Sequence, residues 1–148
     1  MLSESLKELF IRDLNKLKKE ISAYNNDSIL WATNGAIKNS GGNLCLHLIG
    51  NLNTFIGASL GKVDYTRQRD LEFSDKDVPR DVLLDKIDET IGFVTQGLNS
   101  LSKEQLEGMF PEKIWATETR MDFTLIHLHS HLMYHLGQIN YHRRILDV

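Results

Sequence analysis

The chain has 148 residues, 41% of them hydrophobic and 25% charged, which is the size and composition of one folded domain with one core. A formal net charge of -3 excludes the basic footprint of a nucleic-acid-binding protein, and no stretch approaches the roughly 20 apolar residues of a membrane span. The single cysteine, Cys45, excludes an intramolecular disulfide. Glu4, Lys7 and Glu8 interrupt the start of the chain where a signal peptide is apolar, so we expect a cytoplasmic protein.

Helical periodicity accounts for most of the chain. Apolar residues recur at helical spacing, and clusters of cap residues mark where the periodic runs begin. The predicted helices cover Ser3–Tyr24, Leu44–Leu60, Pro79–Leu101, a short turn opened by the capping box Ser102–Gln105, and Met121–Ile145. We predict no regular structure from Ile29 to Trp31 and a long loop from Gly61 to Arg80.

Four long amphipathic segments and no convincing strand predict an all-α fold, a helical bundle formed by a single domain over residues 1–148. The long connection between the second and third long helices permits a crossover. Bundles of this kind build their sites from side chains on facing helices.

A stripe of histidines on the last helix is the main functional signal. His131 and His135 lie about 40° apart around a helix, so both can aim a nitrogen at one point. The same stripe includes His127, Gln138 and His142. His129 projects about 160° from His131 and is not expected to be a ligand. Buried imidazoles need partners, and a metal ion is one.

The third ligand is predicted on the second long helix, at His47. A lone histidine on an apolar helix is more often a hydrogen-bonded core residue, but the C-terminal stripe favours the ligand interpretation. Asn51, one turn later, is expected to be an outer partner or a polar group near the open side of the site. Cys45 is turned about 160° away from His47 and is predicted to be a packing residue.

Three imidazoles with an open fourth position are typical of catalytic zinc sites. Zinc fits the ligand count best, although imidazole also suits nickel, iron or copper. Leu132, Met133 and Tyr134 separate the two histidines, so the glutamate of the zinc peptidase signature is absent.

Several further residues are candidates for the chemistry. Arg67 and Arg69 lie in the Gly61–Arg80 loop, where they either bind an anionic substrate or lock the loop by ion pairs. Gln138 is expected to orient an incoming group together with Asn51. Proton transfer is assigned to Tyr134 or His142.

His47 together with His131-x-x-x-His135-x-x-Gln138 resembles the DinB-like four-helix superfamily, which includes YfiT-like metal-dependent hydrolases and the bacillithiol and mycothiol transferases. The string NSGGNLCLHLIGN and the motif Tyr65-x-Arg67-x-Arg69-x-x-Glu72-Phe73 are similar to a bacterial subgroup of that superfamily. The resemblance spans most of the chain. It implies metal ligation by His47, His131 and His135 in an up-up-down-down bundle that is commonly dimeric. Leu136 departs from the small or basic residue that usually precedes the glycine.

Two classes of function follow. In the first, the protein is a metal-dependent enzyme that activates water or a low-molecular-weight thiol and transfers it to a small electrophilic substrate, as a hydrolase or a thiol transferase. The preference for thiol transfer comes from the resemblance, and Arg67 and Arg69 would attract a carboxylate-bearing thiol such as bacillithiol. In the second, a non-enzymatic metal-binding bundle serves partner binding or stress response. A pocket lined by the Gly61–Arg80 loop would favour the enzyme.

Overall fold

The computed structural model describes residues 1–148, and its regular structure is entirely helical. This confirms the all-α prediction. The helices are α1 (Leu2–Ser22), α2 (Asp27–Leu30), α3 (Gly41–Leu52), which continues as a π-helical segment (Asn53–Ala58), α4 (Arg69–Ser74), α5 (Arg80–Asn99), α6 (Lys103–Glu107) and α7 (Met121–Leu146). None of them combines the length and the hydropathy needed to cross a membrane.

The predicted long helices agree with the structure to within a few residues. Ser40 caps α3 by accepting a hydrogen bond from the amide of Asn43, and the predicted capping box of Ser102 and Gln105 is present on α6. Two short helices, α2 and α4, were not predicted, because four to six residues are too few to establish a periodic apolar stripe.

Helix α4 is held in place by tertiary contacts. The side-chain amide of Asn43, at the start of α3, donates hydrogen bonds to the backbone carbonyls of Glu72 (2.9 Å) and Asp75 (2.8 Å). Glu72 is the one buried residue of α4. The short helix therefore carries a carboxylate into the protein against α3.

Helix α1 packs against α5 and α7, and its contacts give the helix directions. Lys7 contacts Asn99 and Lys18 contacts Asp88, so α1 and α5 run in opposite directions. Towards α7, Asp13 contacts His129 and Glu20 contacts Arg143, so α1 and α7 run in the same direction.

Helix α3 also packs against α5 and α7. A Cβ on Gly57 would touch Phe93 and one on Gly61 would touch Gly97, so α3 and α5 run in the same direction. Gly41 lies beside His142 whereas His47 lies beside His131, so α3 and α7 are antiparallel.

The predicted up-up-down-down order is therefore wrong. Helices α1 and α7 run one way and α3 and α5 the other, which in chain order is up-down-down-up. Parallel neighbours need a connection that returns along the helices, and the long segment between α3 and α5 makes this return. Periodicity identifies the apolar face of each helix, but it contains no information about which neighbour that face meets.

Candidate metal centre

The antiparallel packing of α3 and α7 brings three imidazoles together. Nε2 of His131 lies 3.2 Å from Nε2 of His47 and 3.1 Å from Nε2 of His135. One ligand atom from each ring falls within 4.8 Å of the other two, with His47 buried and the other two partly buried. The structure thus places the three sequence-predicted ligands at one point.

Two of the rings are oriented by hydrogen bonds at their outer nitrogens. Nδ1 of His47 lies 3.0 Å from Oε1 of Glu72, and Nδ1 of His135 lies 2.7 Å from Oε1 of Gln138. A carboxylate or amide oxygen only accepts, so each ring donates from Nδ1. In the neutral rings this leaves the Nε2 lone pairs of both histidines directed at the common point.

Glu72 was not predicted as a site residue. Its carboxylate accepts a bidentate pair of hydrogen bonds from Arg67, both at 2.9 Å, in addition to the bond from His47. A Cβ on Gly50 would lie 1.9 Å from Oε2 of Glu72, so only glycine permits this approach of α4 to α3. The residue belongs to a charged run that is typical of a solvated loop, and only its place in the resemblance motif marked it.

Burial governs the protonation of the centre. Burial, together with the neighbouring His135 and His47, lowers the pKa of His131 to about 4. Burial also lowers the pKa of His135, against an opposing effect of the Gln138 hydrogen bond. Burial raises the pKa of Glu72, but the bonds from His47 and Arg67 outweigh it and the net pKa lies below the usual value. At neutral pH His131 and His135 are therefore uncharged and Glu72 is a carboxylate.

These residues fit a divalent metal. With Zn–N bonds of about 2.0–2.1 Å, a tetrahedral site has nitrogen–nitrogen edges of about 3.3 Å, close to the observed separations. Oδ1 of Asn51 and Nδ1 of His131 are both buried without a hydrogen-bond partner. A metal on Nε2 of His131 would leave the proton on Nδ1. Asn51 lies one turn beyond His47 on α3.

The assignment of proton transfer to His142 is corrected by the structure. One ring nitrogen lies 2.8 Å from the hydroxyl of Tyr24 and the other 2.9 Å from the carbonyl oxygen of Ala32. Both nitrogens are therefore occupied in a buried contact between α7, α1 and the segment after α2. Tyr134, in contrast, is exposed with its ring centroid 5.3 Å from that of His135.

The remaining histidines and Cys45 lie outside the cluster of three. His129 contacts Asp13 of α1 at 2.8 Å, as expected for a residue on another face of α7. His127 packs against Trp115. Cys45 is fully buried, and burial raises its pKa to about 12, which agrees with the packing role predicted for it.

The two arginines of the Gly61–Arg80 segment have different environments. Arg67 forms the ion pair with Glu72, which is the loop-locking alternative of the prediction. The guanidinium of Arg69 lies over the ring of Phe73, 5.3 Å from its centroid, and Phe73 in turn packs against His47. Arg67 is therefore a paired cation, whereas Arg69 forms no ion pair and approaches His47 only through Phe73.

A cleft of about 660 Å³ lies beside the centre, between residues 36–39 and α7. Its lining includes Tyr134 and Gln138, whose side chains contact His135. None of its lining residues comes from the Gly61–Arg80 segment. That segment lines a separate and smaller pocket of about 190 Å³, which includes Tyr65 and Glu72.

The comparisons with known proteins concern the fold and the family. No functionally curated protein matches the chain. Among solved structures, the fold is similar to the crystal structure of a conserved protein of locus from Enterococcus faecalis, with a TM-score of 0.79 and 14% sequence identity over 97% of this chain and 96% of that chain. The family model described as "Protein of unknown function (DUF1572)" matches residues 2–147. The chain therefore belongs to the DUF1572 family.

Proposed function

We propose that the protein is a metal-dependent enzyme that binds one divalent ion, zinc or nickel, through His47, His131 and His135. The observation that supports this proposal is the convergence of three Nε2 atoms, two of them on rings whose outer nitrogens are already hydrogen-bonded. As part of the proposal, the fold is a DinB-like four-helix bundle.

The proposed reaction is the transfer of a thiol or of water to a small electrophilic substrate. When bound, the metal supplies the charge that favours a thiolate or hydroxide at neutral pH. Glu72 and Gln138 hold the rings of His47 and His135, and Arg67 neutralises Glu72. Tyr134 is exposed, with its ring beside that of His135, and is the group we assign to proton transfer. Thiol transfer is preferred to hydrolysis on the resemblance alone.

The alternative is a non-enzymatic metal-binding bundle that binds a partner protein. Exposed apolar side chains along the outer face of α7, among them Phe123, Ile126 and Met133, favour this alternative. The same face is where we propose that a homodimer forms, as the resemblance implies.

Bound metal tests the ligand assignment. We expect His47→Ala, His131→Ala and His135→Ala each to lose most of the metal that elemental analysis finds in the native protein, because two imidazoles hold an ion far more weakly than three. His129→Gln is the matched control on the same helix and should retain it. Near-full occupancy in all three alanine variants would contradict the metal site.

Chemistry is tested on the cobalt-substituted protein. Addition of bacillithiol or another low-molecular-weight thiol should change the cobalt absorption spectrum, because a thiolate that enters the open position alters the ligand field. No spectral change with any thiol, combined with no turnover of thiol and electrophile pairs, would contradict transfer and favour the partner-binding alternative.

A further inference from the structure

The cleft between residues 36–39 and α7 has the size and lining of a small-molecule site. Its volume of about 660 Å³ lies within the usual range for such sites. The apolar part of its wall is formed by Ala36, Ile37, Leu44, Tyr134, Tyr141 and Ile145. The two tyrosines are among the most exposed aromatic residues of the protein, at 65% and 63%, and the guanidinium of Arg144 lies over the ring of Tyr141, 5.4 Å from its centroid.

A glycine keeps this cleft open. Gly137 lies in the interior of α7 between Tyr134 and Tyr141, and a Cβ there would meet no atom within 4 Å. Its φ is not positive and no neighbour approaches it closely, so neither backbone conformation nor packing requires glycine. Glycine in a helix interior costs about 1 kcal/mol relative to alanine. What this glycine provides is space in the wall of the cleft.

The polar groups that line the cleft include two side-chain donors, on Lys38 and Gln138, that make no hydrogen bond within the protein. Lys38 is the only charged lining residue, it is exposed, and it takes part in none of the ion pairs of the structure. Gln138 accepts from His135 through Oε1, whereas its amide NH₂ makes no hydrogen bond within the protein. An ammonium group and an amide donor beside apolar walls complement a ligand that carries one negative charge.

We propose that this cleft binds a small molecule with a flat apolar body and a single anionic group, and places it beside His135. The ring or chain of the ligand would lie between Tyr134 and Tyr141, and its anionic group would contact Lys38. This inference names the substrate class of the proposed enzyme and in that respect rests on the proposed function, although the binding step itself requires no metal.

Two fluorescent probes that share an aromatic body test the proposal. 8-Anilinonaphthalene-1-sulfonate carries one negative charge and N-phenyl-1-naphthylamine carries none. We expect the native protein to bind one sulfonate probe per chain, more tightly than the neutral probe by about threefold to fivefold, as an exposed charge pair allows. Lys38→Gln should remove this preference for the sulfonate probe and leave the affinity for the neutral probe unchanged.

Gly137→Leu is the blocking variant. The leucine side chain would occupy the cleft and lower the affinity for both probes by about tenfold or more, because a probe and the new side chain would compete for the same space. Leucine favours the helix, so the melting temperature should not fall. Gly92→Leu is the matched control, because Gly92 is also a helical glycine with nothing within 4 Å of its Cβ, but it lies on α5.

The outcomes separate this proposal from the metal site. Equal probe binding by the native protein and Gly137→Leu, with native metal content in both, would contradict the cleft proposal alone. Loss of metal in His131→Ala with probe binding retained would support the cleft as an independent site. Probe binding that disappears as the chain dimerises at higher concentration would show that a second copy covers the cleft, and would overturn the small-molecule assignment.

Discussion

The three rings of the candidate metal centre differ at their outer nitrogens. His47 donates to the carboxylate of Glu72, His135 donates to the amide oxygen of Gln138, and Nδ1 of His131 is buried without a partner. An outer acceptor sets the ring orientation and raises the basicity of the nitrogen that faces the metal. Among these neighbours Glu72 is the strongest acceptor, because it is charged and nearly inaccessible to solvent. Its position depends on the absence of a side chain at Gly50.

Gly50→Ala should therefore weaken metal binding without touching a ligand. The new methyl group would overlap Glu72 and displace its carboxylate from His47, and loss of an outer partner typically lowers metal affinity by about 10- to 100-fold. Competition with a chelator measures the affinity. Gly92→Ala, at an open helical site, is the control and should bind metal normally.

A second variant tests the same role of Glu72 if Gly50→Ala does not fold. Glu72→Gln keeps the shape of the side chain and removes its charge, so it should lower metal affinity in the same direction. Native affinity in both variants would contradict the role of Glu72 as the orienting group of His47.

At the scale of helices, α1 and α7 are joined through one buried carboxylate. Asp13 of α1 is inaccessible to solvent and lies 2.8 Å from His129 of α7, with Arg12 and Lys16 on its other side. Burial raises the pKa of Asp13, but the hydrogen bonds from Arg12, His129 and Lys16 outweigh it and hold the pKa at about 2. The contact stabilises the parallel pairing of the two helices only while the carboxylate is charged.

Asp13→Asn should reduce stability in a pH-dependent way. The folded pKa is about 2 against 3.8 for the free side chain, so the carboxylate stabilises the fold above about pH 4 and loses this effect as the pH falls towards 2. At pH 7 we expect the free energy of unfolding to fall by about 2 kcal/mol in the variant.

Urea denaturation at several pH values measures this dependence. The free energies of unfolding of the native protein and Asp13→Asn should differ most near neutral pH and become equal near pH 2. Asp88→Asn removes an exposed partner of Lys18 and serves as the control, since exposed ion pairs contribute little. If the difference in free energy of unfolding between the two proteins stayed constant from pH 7 to pH 2, the stabilising role of the charged Asp13 carboxylate would be contradicted.

At the scale of the whole molecule, the candidate metal centre joins helices from the middle and the end of the chain. His47 belongs to α3 and the other two ligands to α7, so an ion bound there stabilises the packing of these helices. The three nitrogens converge only when α3 and α7 are packed. Binding that is specific to the folded state adds stability in proportion to the logarithm of the free metal concentration.

Removal of metal should therefore lower the melting temperature. At free metal 100 times its dissociation constant the stabilisation is about 2.7 kcal/mol, which for a domain of this size corresponds to roughly 5 to 10 °C. Thermal denaturation with and without a chelator measures the shift. His131→Ala should melt at the same temperature in both conditions, and a native protein that is equally insensitive would contradict metal binding to the folded state.

Local sequence patterns determined the helices and the two candidate ligands on α7. Helical periodicity is a property of neighbouring residues, so the four long helices could be predicted, and a spacing of four residues places His131 beside His135 on any helix. The cap of Ser40 and the capping box on α6 were predictable for the same reason. His47 was predicted from its residue type and helical face, and its placement opposite α7 needed the fold.

Only the tertiary structure decided the rest, because it depends on contacts between residues far apart in the chain. The helix directions follow from which apolar faces meet. The sequence separates Glu72 from His47 by 25 residues, and the close approach of α4 at Gly50 is what joins them. His142 shares the histidine stripe of α7, but α7 is long enough to reach past the metal centre, and there Tyr24 and Ala32 occupy both of its ring nitrogens.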